Sequence, residues 1–341
     1  MTPKFLLAAS VLALSTGAAL AQDKTLTISV YGVSQDAYKE ALYAPFEAKC
    51  GCKLIIETGN SSERLAKLEA NAAAPVVDVI AFSDANALEA AHKGLTQPIN
   101  IAGLSNLAKV YDFARDPIGG NMAIGYTFYG TSIVYDSAVV SGVDSWLDLF
   151  SDKLKGQVAL PNISTTQGPL AMFMIEKALG SDDPNFAKAV DLVAKHRDDI
   201  VTFYEKGGQI PQLMQQGEIS VSVIGRFGWG NLAKTVPTAR WANPKEGQTG
   251  GMNVLAVVKG TKNADLATEF VDYWLSTEVQ QKLAEGLVDS PVNKDVTVSA
   301  EIADGLSYGE DLARTIHFLP AQVMLANRDA WLEAWNAKIA Q

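Results

Sequence analysis

The feature that most constrains the fold is an alternation of strand-like and helix-like segments. Residues 25–31 alternate between apolar and polar side chains, and 53–58 and 75–82 are short apolar runs, which predicts three strands. Apolar residues recur at helical spacing in the intervening segments, 34–49 and 61–73. Strands separated by helices in this way are typical of parallel βαβ units, so the sequence predicts an α/β fold.

The rest of the chain continues this pattern in two interleaved halves. We predict a long strand at 122–135 that is broken at 129–131, and shorter strands at 157–161, 219–224 and 255–258. The chain is expected to leave the first half near Gly130 and to return to it near Asn253. Further helices are predicted at 185–196, 264–275, 278–285 and 319–339.

Polar side chains follow the predicted strands, at the carboxyl ends where parallel sheets bind ligands. Tyr31 and Ser34 follow the first strand, and Asp84 follows the third. Asp84 is suited to pairing with an amine, and it is also placed to cap the next helix.

The segment 162–169, Asn-Ile-Ser-Thr-Thr-Gln-Gly-Pro, precedes an apolar run that predicts a helix. A proline in the first turn and hydroxyl side chains ahead of it are typical of a helix start. Ser164, Thr165 and Thr166, together with the free N–H groups of that turn, would form a cradle for an anionic group. The alternative is an ordinary capped helix that binds nothing.

The first 21 residues have the pattern of a secretory signal. Lys4 gives a positive start, 5–14 form an apolar core, and 19–21 form a small-residue cleavage site, which predicts cleavage after Ala21 and export. No later apolar run reaches the roughly 20 residues that a membrane span needs. The formal net charge of −10, without a basic stripe, argues against a nucleic-acid partner.

The two cysteines, Cys50 and Cys52, are separated by one glycine. Export to an oxidising compartment permits a disulfide between them, although so short a loop constrains the unfolded chain little. A metal site would need further ligands, and no histidine is near them in the sequence. We expect a local disulfide or a thiol pair with a structural role, away from the ligand.

Three motifs occur in a fixed order along the chain. They are Tyr126-Thr-Phe-Tyr-Gly-Thr131, then Ser145-Trp-Leu-Asp-Leu-Phe150 with Lys155-Gly156, then Pro244-Lys-Glu-Gly247 ahead of Asn253-Val-Leu-Ala256. With them the chain resembles the periplasmic solute-binding proteins of ABC importers, in the branch of the spermidine/putrescine-binding proteins. Its cysteine pair and its tail, with Trp331 and Trp335, also resemble the thiamine-binding proteins.

The resemblance implies a type II periplasmic binding protein, whose two lobes each hold a mainly parallel sheet flanked by helices and are joined by crossing hinge strands. Lobe 1 would comprise 22–130 and 254–308, lobe 2 would comprise 131–253, and helices in 309–341 would pack on the lobes. Such a protein is expected to be a periplasmic monomer that closes on a small molecule and delivers it to an inner-membrane permease. A ligand drives closure only if it contacts both lobes.

Two departures from the polyamine-binding pattern bear on the ligand. Polyamine binders carry Trp-x-Asp just after the Pro-Lys-Glu-Gly motif, and this chain has Gly251-Met252-Asn253 there. The Trp that the resemblance places after strand 219–224 is replaced by Gly225, and Arg226 follows. The loss of an acid and a ring and the gain of a permanent cation suit a dication poorly and a carboxylate or phosphate well.

Aromatic residues complete the expected site. Phe128 and Tyr129 occupy the aromatic cleft position that the resemblance implies, where they would cover an alkyl chain or an ammonium, or form interlobe core instead. Trp229 would line the cleft or pack within lobe 2. Arg226 would bind the ligand or form a salt bridge, and Asn253 stands where polyamine binders have an acid.

The sequence therefore favours a solute that carries an amine and a carboxylate or phosphate. An ω-amino acid such as 4-aminobutyrate would suit Asp84 and Arg226 with aromatic rings between them. A polyamine is the next candidate, and thiamine or its phosphate is the third. The competing class is an exported hydrolase or transferase on a similar two-lobed fold.

Catalytic and metal chemistry find little support in the sequence. His92, His196 and His317 are scattered, and no nucleophile elbow, metal-ligand spacing or Gly-rich phosphate loop is present. The iron-binding branch uses consecutive tyrosines, and no Tyr-Tyr pair occurs in the sequence. We expect a binding protein without a cofactor or metal, and not an enzyme.

Overall fold

The computed structural model describes residues 24–340, in which the strands form one mixed sheet flanked by helices. The predicted signal segment, 1–21, lies outside the described residues. The strands are β1 (Thr25–Val30), β2 (Lys53–Thr58), β3 (Val79–Ser83), β4 (Thr96–Gln97), β5 (Ile124–Asp136), β6 (Val158–Pro161), β7 (Ile200–Tyr204), β8 (Val221–Gly225), β9 (Ala239–Trp241), β10 (Thr249–Val258) and β11 (His317–Phe318). The main path through the sheet is β2-β1-β3-β10-β5-β8-β6-β7.

Helices cover both parts of this sheet. In the described range they are α1 (Gln35–Tyr38), α2 (Ala44–Cys50), α3 (Ser61–Ala70), α4 (Asp84–His92), α5 (Asp112–Arg115), α6 (Gln167–Ala178), α7 (Ala187–Lys195), α8 (Ile210–Gln215), α9 (Trp229–Thr235), α10 (Ala264–Trp274), α11 (Thr277–Glu285), α12 (Ala300–Gly305), α13 (Glu310–Thr315) and α14 (Ala321–Lys338). A π-helical turn, Lys39–Tyr43, joins α1 to α2. Of the helices described here, none has both the length and the hydrophobicity to cross a membrane.

The predicted βαβ units are confirmed in the first part of the chain. β1 pairs in parallel with β2 on one side and with β3 on the other. α3 begins with a capping box, in which Asn60 and Glu63 each bind the other's backbone N–H. A second parallel group, β7-β6-β8, forms the other end of the sheet, and its strand β7 was not predicted.

The two long strands β5 and β10, called the crossing strands below, lie side by side in the middle of the sheet and join its two parallel groups. β5 pairs with β10 over its first half and with β8 over its second half, antiparallel in both cases. The predicted break at 129–131 is wrong, because Gly130 lies opposite Gly250 in continuous pairing. A Cβ atom on Gly250 would lie 2.2 Å from the carbonyl oxygen of Tyr129, so glycine here permits a close backbone approach and not a turn.

Two large hydrophobic cores lie on either side of the crossing strands. The first core is built from β1, β3, the start of β5, the end of β10, α10 and α11. The second core contains the later part of β5 with α6, α7 and α14, and a smaller cluster around Trp229 adjoins it. The α/β class and the two-lobed arrangement are thereby confirmed. The predicted boundaries at 130 and 253 fall within β5 and β10 and stay predictions.

The C-terminal helix α14 belongs mainly to the second core. The ring of Trp331 stacks on Phe186 with centroids 4.6 Å apart, and its Nε1 donates to the Pro184 carbonyl at 2.7 Å. Trp335 packs edge-on against Phe203 at 5.0 Å. Because α14 also packs against α4, it contacts both sides of the molecule.

A disulfide joins Cys50 to Cys52 at the end of α2, with Cα atoms 5.2 Å apart. Gly51 between them has φ 59°, in the left-handed region that glycine adopts without strain. Neither cysteine is among the residues that line the cavity described below.

Candidate ligand-binding site

A cavity of about 1080 Å³ lies between the first and second cores, with residues of β5 and β10 in its wall. Its volume is at the upper end of the roughly 300–1,000 Å³ that small-molecule sites occupy. All the predicted ligand residues except Trp229 line it, namely Tyr31, Ser34, Asp84, Phe128, Tyr129, Ser164, Thr165, Thr166, Arg226 and Asn253.

Trp229 lies behind the cavity wall. Its ring packs edge-to-face against Trp241 at 5.9 Å, and the residue is only 6% exposed. Of the two alternatives for Trp229, the structure therefore favours packing. Phe128 is also mainly a core residue, because it is 2% exposed and packs edge-on against Phe113 at 5.2 Å, although it touches the cavity.

Asp84 is the first residue of α4 and brings a half-buried carboxylate to the cavity. Ser83 is the N-cap, since its hydroxyl accepts from the Asn86 N–H, while Asp84 Oδ1 accepts from the Ala85 N–H at 2.8 Å. Burial raises the pKa of Asp84 to about 6, and the helix-start N–H groups only partly oppose this rise. No cation pairs with Asp84 among residues 24–340, so the carboxylate is available to an amine.

Asp289 is a second buried acid on this side of the cavity, and the sequence analysis missed it. It follows α11 in the segment Leu-Val-Asp-Ser-Pro, and Tyr38 donates a hydrogen bond to its Oδ2 at 2.7 Å. Burial raises the pKa of Asp289 to about 7, although the Tyr38 bond acts in the opposite direction. An acid within an apolar run was the sequence signal that could have revealed it.

Tyr31 and Asn253 connect the end of β1 to the crossing strand β10. The Tyr31 hydroxyl donates to Asn253 Oδ1 at 3.2 Å. The guanidinium of buried Arg64 lies 4.0 Å from the Tyr31 ring centroid and donates to the carbonyls of Ala81 and Gly59. These contacts fix Tyr31 in the wall. Ser34 lies near it, exposed, with a left-handed φ of 54°.

Arg226 brings a cation to the cavity from the other side, directly after β8. Its guanidinium lies over the rings of Trp241 and Trp229, at 4.5 and 5.3 Å from their centroids. Nη2 donates to the backbone carbonyl and to Oδ1 of Asp304 in α12. Nε is buried and has no hydrogen-bond partner among the described residues. The guanidinium is thus held in place, and its Nε–H has an unused hydrogen bond to donate.

Phe227 is an exposed aromatic residue that the site prediction did not include. It is 72% exposed, and its ring meets Tyr129 edge-on at 5.5 Å across the cavity wall. A Cβ atom on Gly225 would lie 2.4 Å from the Phe227 ring, so the glycine that replaces the family's tryptophan makes room for this ring. Phe227 therefore brings an aromatic ring to the place next to Gly225, where the tryptophan is missing.

Gly251 has a similar relation to Tyr129. A Cβ atom on Gly251 would lie 2.1 Å from the Tyr129 hydroxyl oxygen, so the tyrosine ring lies across the glycine. Met252 points to the opposite face of β10 and is buried in the first core. The Trp-x-Asp of polyamine binders is thus replaced by a tyrosine ring over a glycine, followed by the amide of Asn253.

The hydroxyl groups before α6 are partly occupied by the loop itself. Thr165 Oγ1 donates to the Asn162 carbonyl and accepts from the Gly168 N–H, so it caps the helix. Ser164 donates to the side-chain oxygen of Asn162. Thr166 is exposed and makes no side-chain cap bond. Both the capped-helix alternative and a smaller cradle around Thr166 are therefore compatible with the geometry.

Comparison with known proteins identifies the family. The sequence profile of the bacterial extracellular solute-binding proteins matches residues 41–307, well over half of the chain. The chain belongs to this family. It is the substrate-binding component of an ABC transporter, in a family that is exported, binds small ligands and delivers them to membrane permeases.

Two relatives illustrate the range of the family. Iron uptake protein A1 of Synechocystis sp. is 24% identical over 299 residues, which are 83% of this chain and 79% of the relative. The spermidine/putrescine-binding periplasmic protein of Escherichia coli is 26% identical over 291 residues, 83% of this chain and 82% of the relative.

Solved structures of the family share the fold. An ABC transporter protein from Clostridium perfringens matches with a TM-score of 0.87 at 29% identity, over 92% of this chain and 99% of that one. A GABA receptor matches with a TM-score of 0.74 at 23% identity, over 93% of this chain and 98% of that one.

The remaining titratable residues of the sequence analysis lie elsewhere. His92, His196 and His317 are not among the residues that line the cavity, and His196 Nδ1 lies 3.1 Å from Asp199. Across residues 24–340, no group of three His, Cys, Asp or Glu side chains is arranged to hold a metal ion.

Proposed function

We propose that this solute-binding protein captures a small molecule that carries both an ammonium and a carboxylate, as 4-aminobutyrate does. The observation that supports this is the distribution of charge around the cavity. Arg226 lines it from the side of the second core, and the half-buried carboxylate of Asp84 lines it from the side of the first. A ligand with opposite charges at its two ends would satisfy both groups at once.

Arg226 is suited to a carboxylate for geometric reasons. A guanidinium presents a planar fork of donors that matches the two oxygens of a carboxylate. Its Nε has no acceptor in the described residues, and its plane is held over Trp241. Asp304, which shares Nη2, is 71% exposed, so solvent screens this pair and a ligand can compete with it.

The aromatic pair of Tyr129 and Phe227 is suited to the middle of such a ligand. The two rings meet at 5.5 Å and come from β5 and from the segment after β8. Their faces and edges can cover a short alkyl chain, and a ring face also attracts an ammonium. A ligand held by these rings and by Asp84 on the first-core side would contact both lobes, so it would bind the closed arrangement more tightly and favour closure.

A polyamine is the second candidate, because two acids, the half-buried Asp84 and the buried Asp289, line the cavity and a relative is named for spermidine and putrescine. Arg226 opposes this alternative, since a dication would lie beside a permanent positive charge. Thiamine is the third candidate, although the cysteine pair that suggested it is not part of the cavity wall.

Calorimetric titration of the purified protein tests the proposal. The panel contains 4-aminobutyrate, putrescine, spermidine, thiamine and ferric citrate, the last because one relative is named for iron uptake. We expect 4-aminobutyrate to bind most tightly and to raise the melting temperature without being turned over. Tighter binding of putrescine or iron would contradict the amino-acid ligand, and chemical conversion of any ligand would support the hydrolase or transferase alternative.

A further inference from the structure

Asp289 is held against the cavity, and no positively charged side chain of residues 24–340 pairs with it. The residue is 7% exposed, yet it lines the cavity, and its Oδ2 accepts the Tyr38 hydroxyl at 2.7 Å. The adjacent Ser290 hydroxyl accepts from the Ser307 N–H, which anchors the segment. The carboxyl group therefore has a fixed position at the cavity edge.

The titratable groups that face Asp289 are all tyrosines. They are Tyr38 of α1, Tyr43 of the π-helical turn and Tyr126 of β5, all of them buried in the first core. No Lys, Arg or His pairs with Asp289 among residues 24–340. A buried carboxylate without a cation is costly, so burial favours the protonated form of Asp289 in the ligand-free protein.

We propose that Asp289 is an ammonium subsite that exchanges its proton for the ligand's positive charge. The protonated carboxyl group meets the incoming ammonium, its O–H bond breaks, and the proton leaves to solvent. The carboxylate then pairs with the ammonium, so one positive charge enters the site and one leaves. This inference rests on the proposed function in one respect, that the ligand carries an ammonium.

The exchange makes affinity depend on pH in a defined direction. The pKa of Asp289 is raised to about 7 in the empty protein, and an ammonium beside the carboxylate would lower it. Below pH 7 each unit of acidification should weaken amine binding up to about tenfold, because the proton must be displaced. Above that pH the affinity should level off.

The experiment measures proton release directly. Wild-type protein is titrated with 4-aminobutyrate, and separately with putrescine, at pH 6.5 in phosphate and in Tris, whose ionisation enthalpies differ. The dependence of the binding enthalpy on the buffer gives the number of protons released. We expect release from the wild type, and a large loss of it in Asp289→Asn, which keeps an acceptor for Tyr38. The smaller release that Asp84 can contribute should remain.

Two further variants separate a proton-exchanging role from a structural one. Asp311→Asn is the matched control, because Asp311 is an exposed acid whose ion-pair partner in the described part of the chain is Arg314, and it should behave as the wild type. Tyr38→Phe removes a bond that favours the ionised carboxylate, so proton release should persist to higher pH. A variant that merely loosened the fold would not shift this profile upward.

The outcomes distinguish the two proposals. If neither probe binds the wild type, the amine-ligand proposal fails and the Asp289 subsite fails with it. If a probe binds but the wild type releases no proton, or Asp289→Asn releases as many, only the subsite is overturned. Loss of the release in Asp289→Asn together with the upward shift in Tyr38→Phe would support it.

Discussion

Arg226 and Asp304 link the two sides of the cavity: Arg226 Nη2 lies 3.3 Å from Asp304 Oδ1 and also donates to the Asp304 backbone carbonyl. Trp229 Nε1 lies 3.4 Å from the other carboxylate oxygen. Asp304 lies in α12, next to the small cluster that α11 forms with Val296 and Leu306. The cation that we assign to a ligand carboxylate is therefore partly neutralised from across the cavity.

We predict that Asp304→Asn increases the affinity for 4-aminobutyrate. The backbone bond to Arg226 can remain, while the competing charge is lost. Because Asp304 is 71% exposed, the gain should be small, about two- to fivefold, as expected of a solvent-screened pair. Calorimetry at low and high salt measures it, and the gain should shrink as salt rises. A loss of affinity would show instead that the Asp304 carboxylate is needed to position Arg226.

We predict that Arg226→Ala weakens binding of 4-aminobutyrate by about 100-fold, since a charge-assisted bidentate contact is lost. Arg226→Lys should recover little, because an ammonium lacks the planar fork. Arg314→Ala is the matched control, since this exposed arginine lies outside the cavity and its ion-pair partner among residues 24–340 is Asp311. All three variants are also titrated with putrescine. Removal of the Arg226 cation should leave the affinity for this diamine unchanged or raise it, whereas the affinity for 4-aminobutyrate should fall.

The strand ends of the site could be predicted because the βαβ pattern fixes them. Tyr31, Asp84 and Arg226 each follow a strand. Parallel pairing alone places the carboxyl ends of neighbouring strands at the same edge of the sheet, where ligands bind. Asp289 and Phe227 could not be found in this way. Asp289 lies in a loop after a helix, and Phe227 reaches the cavity only because Gly225 leaves space for its ring.

The crossing strands show why the glycines were misinterpreted. Gly130 within an apolar run is a usual signal of a turn or bulge. In the structure β5 continues through Gly130, and the close backbone approach occurs at Gly250, which lies opposite it on β10, more than a hundred residues away in sequence. Similarly, β7 is a short run whose strand identity depends on its pairing with β6. Such long-range pairings are set by tertiary structure.

We predict that Gly251→Ala lowers the free energy of unfolding by about 1–3 kcal/mol, because the added methyl group would overlap the Tyr129 hydroxyl. Gly142→Ala is the control, since Gly142 is exposed and a Cβ atom there meets nothing within 4 Å. In a double-mutant cycle with Tyr129→Ala, part of the loss should be recovered. Strict additivity in denaturant unfolding would mean that Tyr129 does not lie over Gly251.

We predict that Asp289 makes the empty protein less stable as the pH rises from 4 to 8. The folded-state pKa of Asp289, about 7, exceeds the unfolded value near 3.9, so the folded chain holds the proton more tightly. The stabilisation is therefore complete below about pH 4 and is lost as the pH rises through 7. A shift of this size corresponds to roughly 4 kcal/mol.

Other groups titrate over the same range, so the informative quantity is the difference in unfolding free energy between the wild type and Asp289→Asn. The asparagine stays neutral throughout, whereas the wild type must ionise a buried carboxyl group that pairs with no Lys, Arg or His of residues 24–340. The wild type should therefore lose stability relative to the variant with each unit of pH between 5 and 7. A difference that stays constant over this range would place the Asp289 carboxylate in contact with solvent or with a cation.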